Sequence, residues 1–157
     1  MATSIRRIKF FSVHAAILIP VLCLSLISTA WSKKDVFMTI KIHQQTFKVE
    51  IPLTEQEFEK GLSKRKYLPA KRGMLFYFDP KSKEPVIMWM RDTWISLDML
   101  FIGINGKVAC IIENTKPLSL KPLQCNKKTR AVLELNGGEV KKYGVKVGDT
   151  VADLLIL

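Results

Sequence analysis

Residues 89–102 constrain the fold of this chain more than any other segment of its sequence. They form the densest apolar and aromatic run after residue 30, which marks the segment as part of the core. The run nevertheless contains three charged residues, Arg91, Asp92 and Asp98. Because an unpaired charge is costly to bury, these residues must pair with each other, cap a turn or line a site.

The first thirty residues have the pattern of a signal peptide. Two arginines and a lysine within residues 6–9 provide a positive start, and residues 15–27 follow as an apolar run of 13 residues. Such a run is too short to span a bilayer comfortably, and residues 28–30 offer a small-x-small cleavage site. We predict cleavage near Ala30 and a periplasmic or secreted protein. An uncleaved membrane anchor is the alternative.

Residues 31–157 are expected to form a single β-rich domain, because 127 residues supply one hydrophobic core and not two. Without the leader the chain has 22 basic and 14 acidic residues, a net charge of +8. This charge favours an anionic surface, such as lipid headgroups or acidic glycans, as a partner. Export makes nucleic acid the poorest candidate. A basic surface that only promotes solubility is the alternative.

Short strands dominate the remaining pattern. Residues 36–42 and 46–51 alternate between apolar and polar positions, which is typical of strands with one buried face. Asn105-Gly106 predicts a tight hairpin turn, and residues 54–57 match the capping box that begins a helix. We expect seven to nine short strands and two short helices. The predicted fold is a mainly β domain, either a β-sandwich or a rolled, barrel-like sheet.

Two cysteines, Cys110 and Cys125, follow the predicted cleavage site. In an oxidising compartment they can form a disulfide, which would stabilise the fold by about 3 kcal/mol through the entropy of loop closure. The strand predicted over residues 107–112 places Val108, Cys110 and Ile112 on one face. Cys110 can therefore equally be a small buried hydrophobic residue. The sequence leaves both interpretations open.

Most patterns typical of catalytic or metal sites are absent from the sequence. There is no Cys-x-x-Cys, no His-Glu-x-x-His, no phosphate-binding glycine loop and no Gly-x-Ser-x-Gly turn. A serine or cysteine nucleophile would lack its usual base, because His43 is the only histidine after residue 30. We therefore expect no metal site and no cofactor.

The remaining candidates are carboxylates, an arginine and aromatic rings. The predicted ligand-binding residues are Arg91, Asp92, Thr93, Asp98 and Glu134, with Trp89 and Trp94 as aromatic walls. Strand alternation places Asp98 in apolar surroundings, where a carboxyl group is suited to acid–base work. A structural aspartate that accepts backbone hydrogen bonds is the alternative. Glu134 either joins the site or faces water, and the tryptophans either stack on a ligand or belong to the core.

Six segments between Phe47 and Leu157 together resemble a known family. They are Thr54–Leu62, Gly73–Phe76, Trp89–Thr93, Leu97–Ile102, Val132–Gly138 and Gly144–Asp149. The family is the uncharacterised domain of unknown function 192. The resemblance implies a compact β-rich domain that is often exported, and it supplies no activity, cofactor or catalytic residue.

Charged positions of that family match Arg91, Asp98 and Glu134 in this chain. Asp92 departs from the pattern, because the family usually has an asparagine there. If this position binds a ligand through donor groups, Asp92 would change the preferred ligand or need Arg91 as its partner.

These observations favour a non-catalytic exported domain that binds a small or envelope-derived ligand. The first alternative is a hydrolase with Asp98 and Glu134 as its acid and base. The second is a domain that binds anionic surfaces through its lysines. The low histidine content and the missing nucleophile pattern favour binding over catalysis.

Overall fold

The computed structural model describes residues 36–154. The predicted signal peptide at residues 1–30, its cleavage site at Ala30, and residues 31–35 and 155–157 lie outside the described part of the chain. Among the described residues, no helix is long and apolar enough to cross a bilayer.

Residues 36–154 contain nine strands and two short helices, within the predicted range. The strands are β1 (Phe37–Ile42), β2 (Gln45–Glu50), β3 (Arg72–Tyr77), β4 (Ile87–Met88), β5 (Leu97–Ile102), β6 (Val108–Ile112), β7 (Leu123–Gln124), β8 (Ala131–Asn136) and β9 (Val151–Ala152). The helices are α1 (Glu55–Lys60) and α2 (Glu139–Tyr143).

Seven strands form one sheet in the order β6-β5-β8-β3-β2-β1-β9, and β4 pairs with β7 in a separate two-stranded sheet. In the large sheet all neighbours are antiparallel except β2 and β3. Its two edges meet where Lys107 bridges to Thr150, and the backbone N–H of Val108 donates to the carbonyl of Asp149 at 2.9 Å. The sheet is therefore a nearly closed barrel. The prediction of a mainly β, barrel-like single domain is confirmed.

Helix α1 lies in the connection between the parallel strands β2 and β3. It begins with the predicted capping box: the Thr54 hydroxyl accepts from the backbone N–H of Glu57, whose carboxylate accepts from the backbone N–H of Thr54. Phe58 of α1 meets Phe76 and Phe78 edge to face, with ring centroids 5.1 and 5.4 Å apart. These contacts hold the helix against one face of β3.

The strands separate two apolar clusters. An inner cluster fills the barrel and includes Ile40, Phe47, Leu75, Leu100, Ile102 and Leu133. An outer cluster covers the opposite face of β3, β5 and β8 and includes Leu62, Met74, Phe76, Met90, Met99 and Phe101. All six residues of β5 are buried because the strand faces both clusters. Neighbouring residues of β5 or β8 therefore lie in different surroundings.

A bulge interrupts β6. Ile102 pairs with Val108 but Phe101 pairs with Cys110, so Ala109 is an extra residue in the strand. Val108 consequently belongs to the inner cluster, while Cys110 and Ile112 contact the outer one. The prediction that these three residues share a face is wrong, because strict alternation assumes a strand without a bulge.

Cys110 forms a disulfide with Cys125, and their Cα atoms are 5.9 Å apart. Cys125 directly follows β7, which pairs with β4. The bond therefore connects the barrel strand β6 to the small β4–β7 sheet in the outer layer. In the structure Cys110 is therefore part of a disulfide and not a free buried cysteine.

Candidate ligand-binding site

Glu134 is a carboxyl residue buried on the outer face of the barrel. It lies on β8 between its register partners Met74 on β3 and Met99 on β5, and only 4% of its surface is exposed. The neighbouring residues Leu133 and Leu135 face the interior, so alternation turns Glu134 outward. The strands approach closely here, because a Cβ atom at Gly73 would lie 2.2 Å from the Glu134 carbonyl oxygen.

Burial raises the pKa of Glu134 from 4.5 to about 8, because the charged form loses its hydration. The positive charge of Arg65 opposes this rise. The Arg65 guanidinium, however, already donates to both carboxyl oxygens of Glu50 in a two-point ion pair. No group within residues 36–154 hydrogen-bonds to the Glu134 carboxyl. At neutral pH this carboxyl is mostly protonated, and it can donate or accept a hydrogen bond.

Glu134 lines a pocket of about 310 Å³, which we call the Glu134 pocket. Its walls come from the end of α1, the loop after it, β3 and the segment 87–93. Apart from Gly61, six lining residues are apolar (Phe58, Leu62, Phe76, Ile87, Met88 and Trp89) and six are polar or charged (Glu59, Lys60, Ser63, Arg91, Thr93 and Glu134). Apolar walls that also carry polar groups are typical of a site for a small organic molecule.

Hydrogen bonds between two loops fix the rim of this pocket. The backbone N–H of Lys64 donates to the carbonyl of Asp92 at 2.7 Å, and the Ser63 hydroxyl donates to the carbonyl of Arg91 at 3.4 Å. Thr93, which is 5% exposed, donates from its backbone N–H to the carbonyl of Met90. The polar groups of the pocket are therefore carried by a braced backbone rather than by a free loop.

The backbone conformation at residue 92 suits either aspartate or asparagine. Asp92 has a φ of 57°, a left-handed conformation that asparagine and aspartate adopt more readily than other non-glycine residues. Its side chain is exposed and is not among the residues that line the pocket. An exchange of asparagine for aspartate here therefore preserves the turn and leaves the pocket lining unchanged.

Arg91 lies at the exposed side of the pocket. Its guanidinium carbon is 4.8 Å from the centre of the Trp89 ring, a cation–π contact. Within the described residues this guanidinium forms no ion pair with a carboxylate. Its N–H groups therefore stay available to a ligand that reaches the mouth of the pocket.

Asp98 lies on the other side of the sheet. Its two carboxyl oxygens accept from the backbone N–H groups of Asn114 and Val140, at 2.8 and 2.9 Å, and the residue is fully buried. Val140 is in the first turn of α2, whose own N-cap residue, Gly138, supplies no side-chain hydrogen bond. Asp98 therefore caps this helix from β5, which matches the structural alternative stated for it.

The structure thus divides the predicted site residues into two groups. Trp89, Arg91, Thr93 and Glu134 line the Glu134 pocket, whereas Asp92, Trp94 and Asp98 do not. Asp98 pairs with Leu135 and Met99 pairs with Glu134, so the side chains of Asp98 and Glu134 lie on opposite faces of the sheet. The two carboxyl groups do not share a site and do not form the acid–base pair of the hydrolase hypothesis.

Sequence reasoning missed most of the apolar walls. Phe58 and Leu62 lie four residues apart, a spacing that indicates a shared helix face but not what that face covers. Phe76 belongs to a strand with apolar residues on both sides, so its sequence signal is that of an ordinary core residue. Only the packing of α1 over β3 brings these residues next to Glu134.

A second buried carboxyl, that of Glu139, lies outside the Glu134 pocket. One of its oxygens accepts from the backbone N–H of Lys71 at 2.9 Å, and the other is buried without a hydrogen-bond partner. Burial raises the pKa of Glu139, against the opposing effects of that hydrogen bond and of the Lys142 charge. Within residues 36–154, no three histidine, cysteine or carboxylate residues are grouped so that they could hold a metal ion.

Fold and site together define a small barrel-like β domain with a ligand-sized pocket on the outer face of its sheet. The family model of domain of unknown function 192, described as "Uncharacterized ACR", matches residues 38–152. The chain belongs to this family. No match is found among the curated proteins.

Two solved structures are similar to this chain. A protein of unknown function from Novosphingobium aromaticivorans DSM 12444 is 34% identical, with a TM-score of 0.68 over 73% of this chain and 84% of that one. A Sinorhizobium meliloti 1021 protein is 33% identical, with a TM-score of 0.69 over 75% of this chain and 94% of that one. The description of the second protein suggests a transcription regulator.

Proposed function

We propose that this protein is a non-catalytic, exported binding domain whose small organic ligand occupies the Glu134 pocket. One observation carries the proposal: the Glu134 carboxyl is 4% exposed, lines the pocket and has no hydrogen-bond partner within residues 36–154. The Glu134 oxygens are accessible from the pocket, because the only carboxyl oxygen of the described residues that is fully buried without a partner belongs to Glu139. A ligand in the pocket can therefore reach the Glu134 carboxyl and form a hydrogen bond with it.

The geometry favours binding over hydrolysis. A hydrolase that uses two carboxyl groups needs both of them beside the same bond, and Asp98 lies on the opposite face of the sheet. Thr93 and Ser63 line the pocket without a histidine, because the only histidine of the described residues, His43, pairs with Asp149. The pocket thus offers shape and hydrogen bonds without an activated nucleophile.

Export is part of the proposal and rests on two observations. The sequence has a signal-peptide pattern before Ala30, and Cys110 and Cys125 are bonded, which is typical of oxidising compartments. Mass spectrometry of the intact protein, isolated from its native host, tests this part. A chain that begins at or close to residue 31 is expected, and a chain that retains residues 1–30 would contradict it.

A thermal-shift screen of the purified protein tests the binding site. The compounds are amino acids, amines, carboxylates, sugars, nucleosides and short peptidoglycan fragments. A ligand at about 100 times its dissociation constant stabilises a fold by roughly 2.7 kcal/mol, which raises the melting temperature of a domain of this size measurably. We expect at least one compound class to do so.

A matched pair of variants locates the binding. Ser63→Trp places a large ring in the Glu134 pocket from a half-buried position on its wall, whereas Ser82→Trp adds the same ring on an exposed loop outside it. Stabilisation by the ligand should be lost in Ser63→Trp and kept in Ser82→Trp. Stabilisation that survives in both variants, or no stabilisation by any compound, would contradict the proposal.

A further inference from the structure

The Glu134 pocket has two polar ends that do not satisfy each other. Within the described residues, Glu134 and Arg91 form no ion pair, although both line the same pocket. Glu134 is buried, whereas Arg91 is exposed and rests on the Trp89 ring at 4.8 Å. The pocket therefore has a carboxyl at its buried side and a guanidinium at its open side.

Part of the wall of the Glu134 pocket is apolar. Phe58, Leu62 and Phe76 line the pocket, and Phe58 and Phe76 are fixed edge to face with ring centroids 5.1 Å apart. These rings and the leucine offer no hydrogen bond to a polar molecule, so they favour an aliphatic or aromatic body. A volume of about 310 Å³ is at the lower end of ligand pockets, which favours a molecule of amino-acid size.

From this arrangement we infer, on the basis of the function proposed above, that the ligand is a small amphoteric molecule with an apolar body. Its carboxylate binds the Arg91 guanidinium, which matches a carboxylate with two parallel N–H groups. Its amino group donates to the Glu134 carboxyl. Free amino acids and the termini of short peptides have this chemistry.

The attraction for an amino group at that end comes from the Glu134 carboxyl itself, because three of the four other charged side chains near it are positive. The other charged side chains near it are Glu59, Lys60 and Arg91 on the pocket walls and Arg65, whose charge acts on Glu134. Burial raises the pKa of Glu134 to about 8, so an ammonium group that binds there displaces a proton from the carboxyl. Affinity for an amine should accordingly increase as the pH rises from 6 to 8.

Three probes with one phenyl ring test the inference by titration calorimetry: phenylalanine, 2-phenylethylamine and 3-phenylpropanoate. Phenylalanine carries both charged groups, and each of the others carries one. We expect phenylalanine to bind at least tenfold more tightly than either single-group probe. A series from glycine to tryptophan, in both enantiomers, covers the size and handedness of the site.

Two variants assign the groups, each with a matched control. Arg91→Gln should weaken phenylalanine binding at least tenfold and leave 2-phenylethylamine unchanged, whereas Arg72→Gln removes another arginine that stacks on a ring, Phe37, and should have no effect. Glu134→Gln should abolish the pH dependence of amine binding, whereas Glu139→Gln changes a buried carboxyl outside the pocket and should preserve it.

Single-group probes that bind as tightly as phenylalanine would overturn the inference, and so would a complete series of amino acids that does not bind. The thermal-shift screen shows whether the proposed function fails together with this inference. If another compound stabilises the protein and loses this effect in Ser63→Trp, the pocket binds ligands but not amphoteric ones. If no compound does so, the proposed function fails as well.

Discussion

The two carboxyl groups on adjacent strands of this barrel are both buried, but their surroundings differ. Asp98, on the inner face of β5, accepts two backbone N–H groups at 2.8 and 2.9 Å. Glu134, on the outer face of β8, accepts none from residues 36–154, and burial raises its pKa to about 8. Burial of a charged residue by itself therefore does not indicate a binding site. The hydrogen bonds that the residue makes or lacks distinguish the two.

Glu139 is intermediate between them. One of its oxygens has a hydrogen bond and the other has none, and it lies outside the Glu134 pocket. A Glu139→Gln variant therefore serves as a control for Glu134→Gln, because it changes a buried carboxyl that does not line the Glu134 pocket.

The largest expected effect is the loss of stability when Asp98 is replaced. Asp98→Ala leaves the N–H groups of Asn114 and Val140 without their acceptor, and each unsatisfied group costs about 1–3 kcal/mol. We expect the free energy of unfolding to fall by about 4 kcal/mol, measured by urea denaturation at pH 7. Asp98→Asn keeps one acceptor oxygen, so its free energy of unfolding should lie between those of the unmodified protein and Asp98→Ala. A loss below about 1 kcal/mol for Asp98→Ala would mean that this cap contributes little.

The next largest effect concerns the layer that covers the outer face. Replacing both Cys110 and Cys125 by serine removes the bond between β6 and the residue after β7, and should lower the free energy of unfolding by about 3 kcal/mol. Because the bond holds the small β4–β7 sheet, hydrogen exchange should accelerate more at residues 87–88 and 123–124 than in the β1–β2 pair. Equal acceleration in both regions would show that the bond stabilises the whole domain rather than this layer.

The smallest expected effect is the contribution of Glu134 to the pH dependence of the free energy of unfolding. Below pH 4.5 its carboxyl is protonated in both the folded and unfolded states, so it does not affect stability there. Between pH 4.5 and about 8 the unfolded chain releases the proton and the folded chain keeps it, so stability falls as the pH rises. Relative to Glu134→Gln, the unmodified protein should lose about 2 kcal/mol between pH 5.5 and 7.

Thermal or urea unfolding of both proteins at the two pH values measures this difference. The pKa of Glu139 is also raised, but Glu139 is present in both proteins, so its contribution cancels. Equal pH dependence in the two proteins would show that Glu134 is hydrated or has a hydrogen-bond partner in solution.

Much of the fold could be predicted from local patterns. Alternation in residues 36–42 and 46–51 corresponds to β1 and β2, and the Thr54–Glu57 capping box begins α1 as predicted. These predictions work because a strand or a helix end satisfies its own backbone groups within a few residues. The bulge at Ala109 was missed because one extra residue reverses the alternation without a sequence signal of its own.

The candidate site could be predicted in part. Trp89, Arg91 and Thr93 are charged, polar or aromatic residues in one short segment, so their sequence positions already group them. Phe58, Leu62 and Phe76 come from two other parts of the chain, and no local pattern connects them to Glu134. The alternation of β5 places Asp98 in apolar surroundings and leaves Glu134 either in the site or facing water, and only the register between the strands decides whether the two carboxyl groups share a face.

The sequence by itself therefore determined a β-rich domain, its family resemblance and the short list of charged residues that needed an explanation. Only the tertiary structure decided that Asp98 caps α2 inside the barrel while Glu134 opens into a pocket outside it. The physical reason is that a single sheet separates the two faces, and cross-strand pairing assigns each side chain to one of them.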